Sequence, residues 1–116
     1  MATSAILASP RLREQAIETN ISTFLELLKN ENVGVRCHAA SSLAKIGPDA
    51  KIAVPVLTVL LKDKDRDVRR AVALALGDIG FGARSAIPAL TRLVDDKVSE
   101  VRRAARDAVK KINEAE

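Results

Sequence analysis

The sequence predicts an all-α protein, an α-solenoid of about three helical hairpins with an N-terminal capping helix. Its repetition supports this prediction. The phrase DVRRAVALALGDIG of residues 67–80 recurs 33 residues earlier as GVRCHAASSLAKIG and 33 residues later as EVRRAARDAVKKIN. Between residues 53–83 and 86–116, 13 of 31 aligned positions are identical. Such similarity at a fixed period indicates stacked structural repeats.

The composition also favours closely packed helices. Hydrophobic residues make up 47% of the chain and aromatic residues only 2%, so the core must consist of Leu, Ile, Val and Ala. Such a core suits helices better than a β-sandwich or β-barrel. We predict one domain over residues 1–116, with a cap at 1–19 and repeats at about 20–52, 53–85 and 86–116.

The first element is the N-terminal cap. Ser9 and Pro10 fit a helix cap and a first helical position, and RLREQAIE predicts a short helix that covers the open end of the stack. The opening MATSAILASP lacks the basic region of a secretory signal, and no apolar stretch approaches the roughly 20 residues that cross a bilayer. The single cysteine suits a reducing compartment, so we predict a cytoplasmic protein without membrane association.

Each repeat contains two predicted helices. In the second unit Pro55 begins the outer helix, whose apolar residues form one stripe. The polar segment KDKDRD interrupts that stripe, and its aspartates are suited to cap the following helix. The inner helix ends at Gly80 and carries its apolar residues on one face: Val68, Ala71, Val72, Ala75, Leu76 and Ile79.

Four pairs of equivalent residues resemble the HEAT repeat: Pro55 and Pro88, Asp63 and Asp96, Val68 and Val101, Arg69 and Arg102. Over residues 20–116 the chain looks most like the short bacterial kind called phycobilisome-lyase HEAT-like repeats. The first unit departs from the pattern, with Ser22 at the proline position and Asn30 at the aspartate position. Ankyrin and tetratricopeptide repeats have similar periods, but their sequence signatures are absent.

The resemblance implies a ladder of ion pairs, in which each aspartate meets an arginine of its own unit or of the next one. The alternative is an anion or phosphate site. We favour the structural ladder because a charge at each equivalent turn needs a partner if it is even partly buried. The ladder residues are Arg36, Asp63, Arg69, Asp96 and Arg102.

No pattern in the sequence predicts catalysis, a metal site or a cofactor. The aspartates of residues 63–67 alternate as in an EF-hand loop, but Val68 stands where that loop needs glycine. Cys37 should point outward at a helix start, where a thiolate is favoured, and His38 should face the core. Neighbouring helical residues point about 100° apart, so the two cannot act together as nucleophile and base. We therefore predict a non-enzymatic protein with no small-molecule substrate.

The outward side of the inner helices is the candidate binding surface, and in a HEAT-like stack it is the concave side. It offers a leucine among small residues with arginines toward one end, which suits a peptide or helix of a partner protein. The alternative is a solvated helix face with one stray leucine. The candidate contact residues are Cys37, Ala40, Ser41, Arg70, Ala73, Leu74, Arg103, Arg106 and Lys110.

The leading functional prediction is a protein–protein interaction scaffold or adaptor. The resemblance to phycobilisome-lyase repeats implies an alternative, a bilin-lyase-like subunit or chaperone of phycobiliproteins. Nucleic-acid binding is a third, weaker hypothesis, because a net charge of +4 is a mild bias and not a dense basic stripe. HEAT-like DNA glycosylases use aromatic residues near the damaged base, and this chain has neither Trp nor Tyr.

Overall fold

A computed structural model describes residues 9–115, so residues 1–8 of the predicted cap, with their apolar run, lie outside the described residues. Over residues 9–115 the chain is helical and contains no strand, which confirms the predicted fold class. The elements are α1 (Pro10–Leu27), α2 (Val33–Ile46), a first 3₁₀ segment (Gly47–Ala53), α3 (Val54–Leu60), α4 (Arg66–Ile79), a second 3₁₀ segment (Gly80–Ala86), α5 (Ile87–Leu93) and α6 (Ser99–Glu114).

The helices form two layers, with α1, α3 and α5 as the outer helices and α2, α4 and α6 as the inner helices. The inner helices pack against one another in chain order, α2 against α4 and α4 against α6. The smallest dimension of the molecule is 19 Å. That thickness corresponds to two layers of helices, each roughly 10 Å in diameter.

Helix α1 is longer than the other outer helices because nothing interrupts it. The Ser9 hydroxyl accepts a hydrogen bond from the Leu12 N–H at 3.4 Å, and Pro10 occupies the first turn. In the later units Pro55 and Pro88 begin new outer helices after the 3₁₀ segments. The first unit has Ser22 at that position, so the predicted capping helix is the first half of α1, which also serves as the first outer helix.

The turns follow the predicted capping chemistry. The Asp65 carboxylate caps α4 by accepting the N–H groups of Asp67 and Val68 at 2.8 and 3.1 Å. Helices α2 and α4 end at Gly47 and Gly80, whose φ angles are 72° and 81°. Glycine adopts these positive angles without the strain that a Cβ atom brings, so the chain leaves both inner helices in the same direction.

The core between the layers is built from leucine, isoleucine, valine and alanine. Leu43, Leu76 and Leu90 are fully buried, as are alanines of every repeat. A Cβ atom on Gly77 would lie 3.0 Å from the Ala108 Cα, so the backbones of α4 and α6 approach closely at this point. Small residues therefore let neighbouring inner helices stack closely, as the sequence predicts.

Candidate functional site

Arg36 joins the first repeat to the second. Its Nε and Nη2 groups donate to the two carboxylate oxygens of Asp63 at 3.0 and 3.2 Å. Its Nη1 group donates to the carbonyl oxygens of Asn30 and Glu31 at 2.8 and 3.0 Å. The guanidinium thus holds the turn of its own unit and the turn of the next one at the same time.

Arg69 repeats this arrangement one unit later. Its Nε and Nη2 groups donate to the Asp96 carboxylate at 2.9 and 3.2 Å, and its Nη1 group donates to the Asp63 and Lys64 carbonyls at 2.8 and 3.0 Å. Burial by itself would raise the pKa of Asp96. The hydrogen bonds from Arg69 and from the Val98 N–H outweigh burial and hold that pKa below its ordinary value.

The ladder has a structural function, because each of these two guanidinium groups is occupied. Only 8% of Arg69 is exposed, and its planar fork is used by a carboxylate from the same chain. A free phosphate would have to displace Asp96 and leave its charge buried without a partner. The geometry therefore favours the structural ladder over the anion site that the sequence left open for Arg69.

The exposed side of the inner helices carries two rows of equivalent residues. Positions 37, 70 and 103 are Cys, Arg and Arg, and positions 41, 74 and 107 are Ser, Leu and Asp. Leu74 is 37% exposed although it belongs to the most buried of the inner helices. We call these six residues the inner-helix surface: Cys37, Ser41, Arg70, Leu74, Arg103 and Asp107.

The prediction that Ala40 and Ala73 contact a partner is wrong. Both are 0% exposed, because they lie on the side of their helix that faces the following inner helix. Ala73 is one turn before Gly77, where α4 meets Ala108 of α6. Alanine at these two positions allows close helix packing and does not contribute to an exposed surface.

Arg106 and Lys110 occupy the positions of Ala73 and Gly77 in the last inner helix. Both are exposed, and by the repeat relationship they lie on the side of α6 that faces away from α4. Arg106 therefore belongs to the end of the stack and not to the inner-helix surface. Lys110 lies at the border, since it also lines a shallow groove of about 300 Å³ together with Leu74 and Asp107.

Cys37 and His38 differ from their predicted states. Cys37 is half-buried, and burial, followed by the nearby carboxylates of Asp65 and Asp67, raises the pKa of its thiol. The expectation that the helix start favours a thiolate is therefore wrong. Within residues 9–115 no inner helix lies before α2, so His38 is exposed and not in the core. Its ring forms a T-shaped pair with the Phe24 ring, with centroids 6.4 Å apart.

Two surface contacts in the structure were not predicted from the sequence. The Lys111 ammonium group donates to the Asp78 carboxylate at 2.9 Å, and the Arg84 guanidinium lies 4.6 Å from the centre of the Phe81 ring. The first was detectable, because Asp78 and Lys111 are 33 residues apart and equivalent positions become neighbours when repeats stack. Nothing in the sequence pattern signals the second contact.

A metal-binding cluster and a membrane-spanning helix are both absent from the part of the chain that the structure describes. Residues 9–115 contain no cluster of three His, Cys, Asp or Glu side chains that could hold a metal ion. Among these residues there is also no helix that is both long enough and apolar enough to cross a membrane.

Comparison with known proteins gives a family and two similar structures. The family model described as HEAT repeats matches residues 21–110. Two crystal structures of engineered proteins from the Northeast Structural Genomics Consortium are similar, with TM-scores of 0.71 and 0.70 and sequence identities of 27% and 28%. The alignments cover 87% and 89% of this chain but only 50% and 31% of those chains. No curated protein matches the sequence.

The family match confirms the broader part of the resemblance seen in the sequence. It describes HEAT repeats in general, so the narrower phycobilisome-lyase type stays a prediction. The chain spans half or less of the two engineered structures that it resembles.

Proposed function

We propose that this chain, which belongs to the HEAT-repeat family, is a non-enzymatic scaffold whose inner-helix surface binds a segment of another protein. HEAT repeats are generally protein-interaction scaffolds. The observation that carries the proposal is the exposure of Leu74, 37%, at the centre of that surface. Ser41 and Asp107 occupy the same position in the other units, so stacking does not require leucine there.

The surroundings of Leu74 suggest the chemistry of the partner. An apolar side chain placed in the groove beside Leu74 would contact Gly77 and Ala108 and remove apolar area from water. Arg70 and Arg103 lie one turn before Leu74 and Asp107 on α4 and α6, so they are suited to acidic residues on that side of the apolar anchor. We therefore infer a partner segment with one apolar anchor and carboxylates to one side of it, in a helical or extended conformation.

The ladder supports this function indirectly. Because Arg36 and Arg69 fix the spacing of successive turns, the inner helices present their exposed side chains in a fixed arrangement. A surface that is already ordered loses little conformational entropy when a partner binds. The proposal includes a cytoplasmic location, since a reducing compartment suits the lone Cys37.

The test begins with a pull-down that compares the wild-type protein with two variants. Leu74→Glu should lose the captured partner, because it places a charge where apolar area is desolvated. The matched control is Arg92→Glu on outer helix α5, which should retain the partner. Titration calorimetry on the identified pair should show an affinity about tenfold or more lower for Leu74→Glu.

Two results would overturn the proposal. If Arg92→Glu weakens binding while Leu74→Glu does not, the partner binds the outer helices. A measurable turnover of a small substrate that disappears in Cys37→Ser would contradict the non-enzymatic assignment.

The dependence on salt provides a further check. Arg103→Glu should weaken the binding of an acidic partner, and this effect should become smaller as the ionic strength rises.

A further inference from the structure

Arg102 is the third arginine of the ladder, and its guanidinium is only partly used. Its Nη1 group donates to the Asp96 carbonyl at 2.8 Å, just as the Nη1 groups of Arg36 and Arg69 donate to carbonyls of their own turns. Within residues 9–115, the Nε and Nη2 groups of Arg102 donate to no other residue. In the two preceding units these same groups hold a carboxylate.

The two complete units show which ligand fits at Arg102. Asp63 binds Arg36 through both carboxylate oxygens, and Asp96 binds Arg69 in the same way, with all four distances between 2.9 and 3.2 Å. The hydrogen bond to the Asp96 carbonyl holds Arg102 in the corresponding turn. A carboxylate that approaches Nε and Nη2 side-on would therefore meet a guanidinium that is already oriented.

The residues next to Arg102 on the same side of α6 are also basic. Arg106 follows one turn later and Lys110 two turns later, and both are exposed. We call Arg102, Arg106 and Lys110 the basic end face. A helix rises about 1.5 Å per residue, so the row from Arg102 to Lys110 is roughly 12 Å long along the helix axis.

The basic end face is not shaped for another tightly stacked helix. Where α4 meets α6, the contact needs Gly77, because a Cβ atom there would come within 3.0 Å of the Ala108 backbone. The equivalent position in α6 is Lys110, and Arg106 stands where Ala73 is fully buried. A helix at that close distance would have to bury both charges, whereas an acidic segment that stands further off can pair with them.

We propose that the basic end face binds an acidic segment of a partner protein, and that one aspartate or glutamate of that segment completes the ladder at Arg102. Further carboxylates of the segment pair with Arg106 and Lys110. This surface shares only Lys110 with the groove beside Leu74, and Arg102 lies outside that groove, so the inference does not depend on the proposed function of the inner-helix surface. Its partner is recognised through charge and the bidentate geometry of one arginine.

The test titrates the wild-type protein with a synthetic octapeptide of alternating aspartate and serine, blocked at both ends. NMR signals of the arginine Nε–H groups report the result at low ionic strength. The Arg102 signal should shift most, whereas those of Arg36 and Arg69 should stay in place because Asp63 and Asp96 already occupy them. A peptide with asparagine in place of every aspartate should produce no shift.

Two variants separate the geometry of Arg102 from general attraction. Arg102→Gln should lower the affinity for the aspartate peptide about fivefold, and Arg92→Gln, which removes the same charge from outer helix α5, less than about twofold. Arg106→Gln keeps Arg102 intact and should also weaken binding, which covers the case in which Arg102→Gln does not fold. Equal losses at Arg102 and Arg92, or a wild-type Arg102 signal that does not move, would overturn the proposal.

Discussion

Helices α4 and α6 occupy equivalent places in successive repeats, yet they bury different surfaces. Helix α4 lies between two inner helices, and its residues Ala73 and Gly77 are buried against α6. In α6 the same positions are Arg106 and Lys110, and both are exposed. The repeat therefore specifies a backbone, whereas the neighbours of each helix decide which of its positions must be small. Matched substitutions in the two helices measure this difference.

The largest difference is expected at the core position shared by Leu76 and Val109. Leu76 is fully buried, so Leu76→Ala should lower the free energy of unfolding by about 2–5 kcal/mol. Val109 is half-buried, and Val109→Ala should cost less than about 1.5 kcal/mol. Urea unfolding followed by circular dichroism measures both. A Leu76→Ala variant as stable as the wild type would show that α4 is placed in the wrong register.

The second difference concerns Arg69 and Arg102. Arg69→Ala leaves the Asp96 carboxylate without its guanidinium and should cost about 2–3 kcal/mol. Arg102→Ala removes one hydrogen bond to a carbonyl and should cost about 1 kcal/mol or less. Arg70→Ala, at an exposed position, should change stability by no more than about 0.5 kcal/mol. Similar losses at Arg69 and Arg70 would contradict the ladder.

The third comparison pairs Gly77 with Lys110. An alanine is the better helix former by about 1 kcal/mol, but its Cβ at position 77 would push against the Ala108 backbone. We expect Gly77→Ala to lower stability by about 1–2 kcal/mol in spite of that gain. Lys110→Ala should remain within about 0.5 kcal/mol of the wild type. A stabilised Gly77→Ala protein would mean that α4 and α6 separate easily.

A smaller effect is expected in the pH dependence of the free energy of unfolding, to which Asp96 contributes. Because the folded pKa of Asp96 lies below its ordinary value, its ionised form stabilises the fold above about pH 4, the range of an unperturbed aspartate. That stabilisation is lost as the pH falls through the folded pKa. The difference in free energy of unfolding between the wild type and Asp96→Asn should therefore shrink below about pH 4. The control variant is Asp95→Asn, which removes the charge of a neighbouring exposed carboxylate and leaves the pair of Arg69 and Asp96 intact.

Much of the fold follows from the sequence, because stacked repeats need similar residues at equivalent positions and these recur at a fixed spacing. The spacing of 33 residues located the inner helices, their buried leucines and the glycines that end α2 and α4. The length of α1 was harder to predict, since it depends on the absence of a proline at Ser22. Equivalent positions also indicated which charges belong to the ladder. The expectation that each aspartate meets an arginine of its own or the next unit is wrong, because Asp63 and Asp96 pair with the arginine of the preceding unit.

The candidate surface was harder to predict, and the reason is chemical. An alanine at a helix–helix contact and an alanine on an open face look identical in a sequence, so Ala40 and Ala73 were assigned to the wrong side. Their burial follows from how far each repeat rotates relative to the next, which the period does not reveal. Arg106 was also assigned to the wrong surface, because it is exposed at an end of the stack and not on the inner-helix surface.

The smallest effect on stability is expected for Leu74→Glu. Leu74 is only two residues from Leu76, but it is 37% exposed and Leu76 is fully buried, so the two leucines point to opposite environments. Glutamate is a good helix former and its charge can reach water from this position, so we expect a loss below about 1 kcal/mol. Ser41→Glu, at the equivalent position of α2, should behave alike. A loss at Leu74 as large as that of Leu76→Ala would show that its apolar area already serves the core and is not available to a partner.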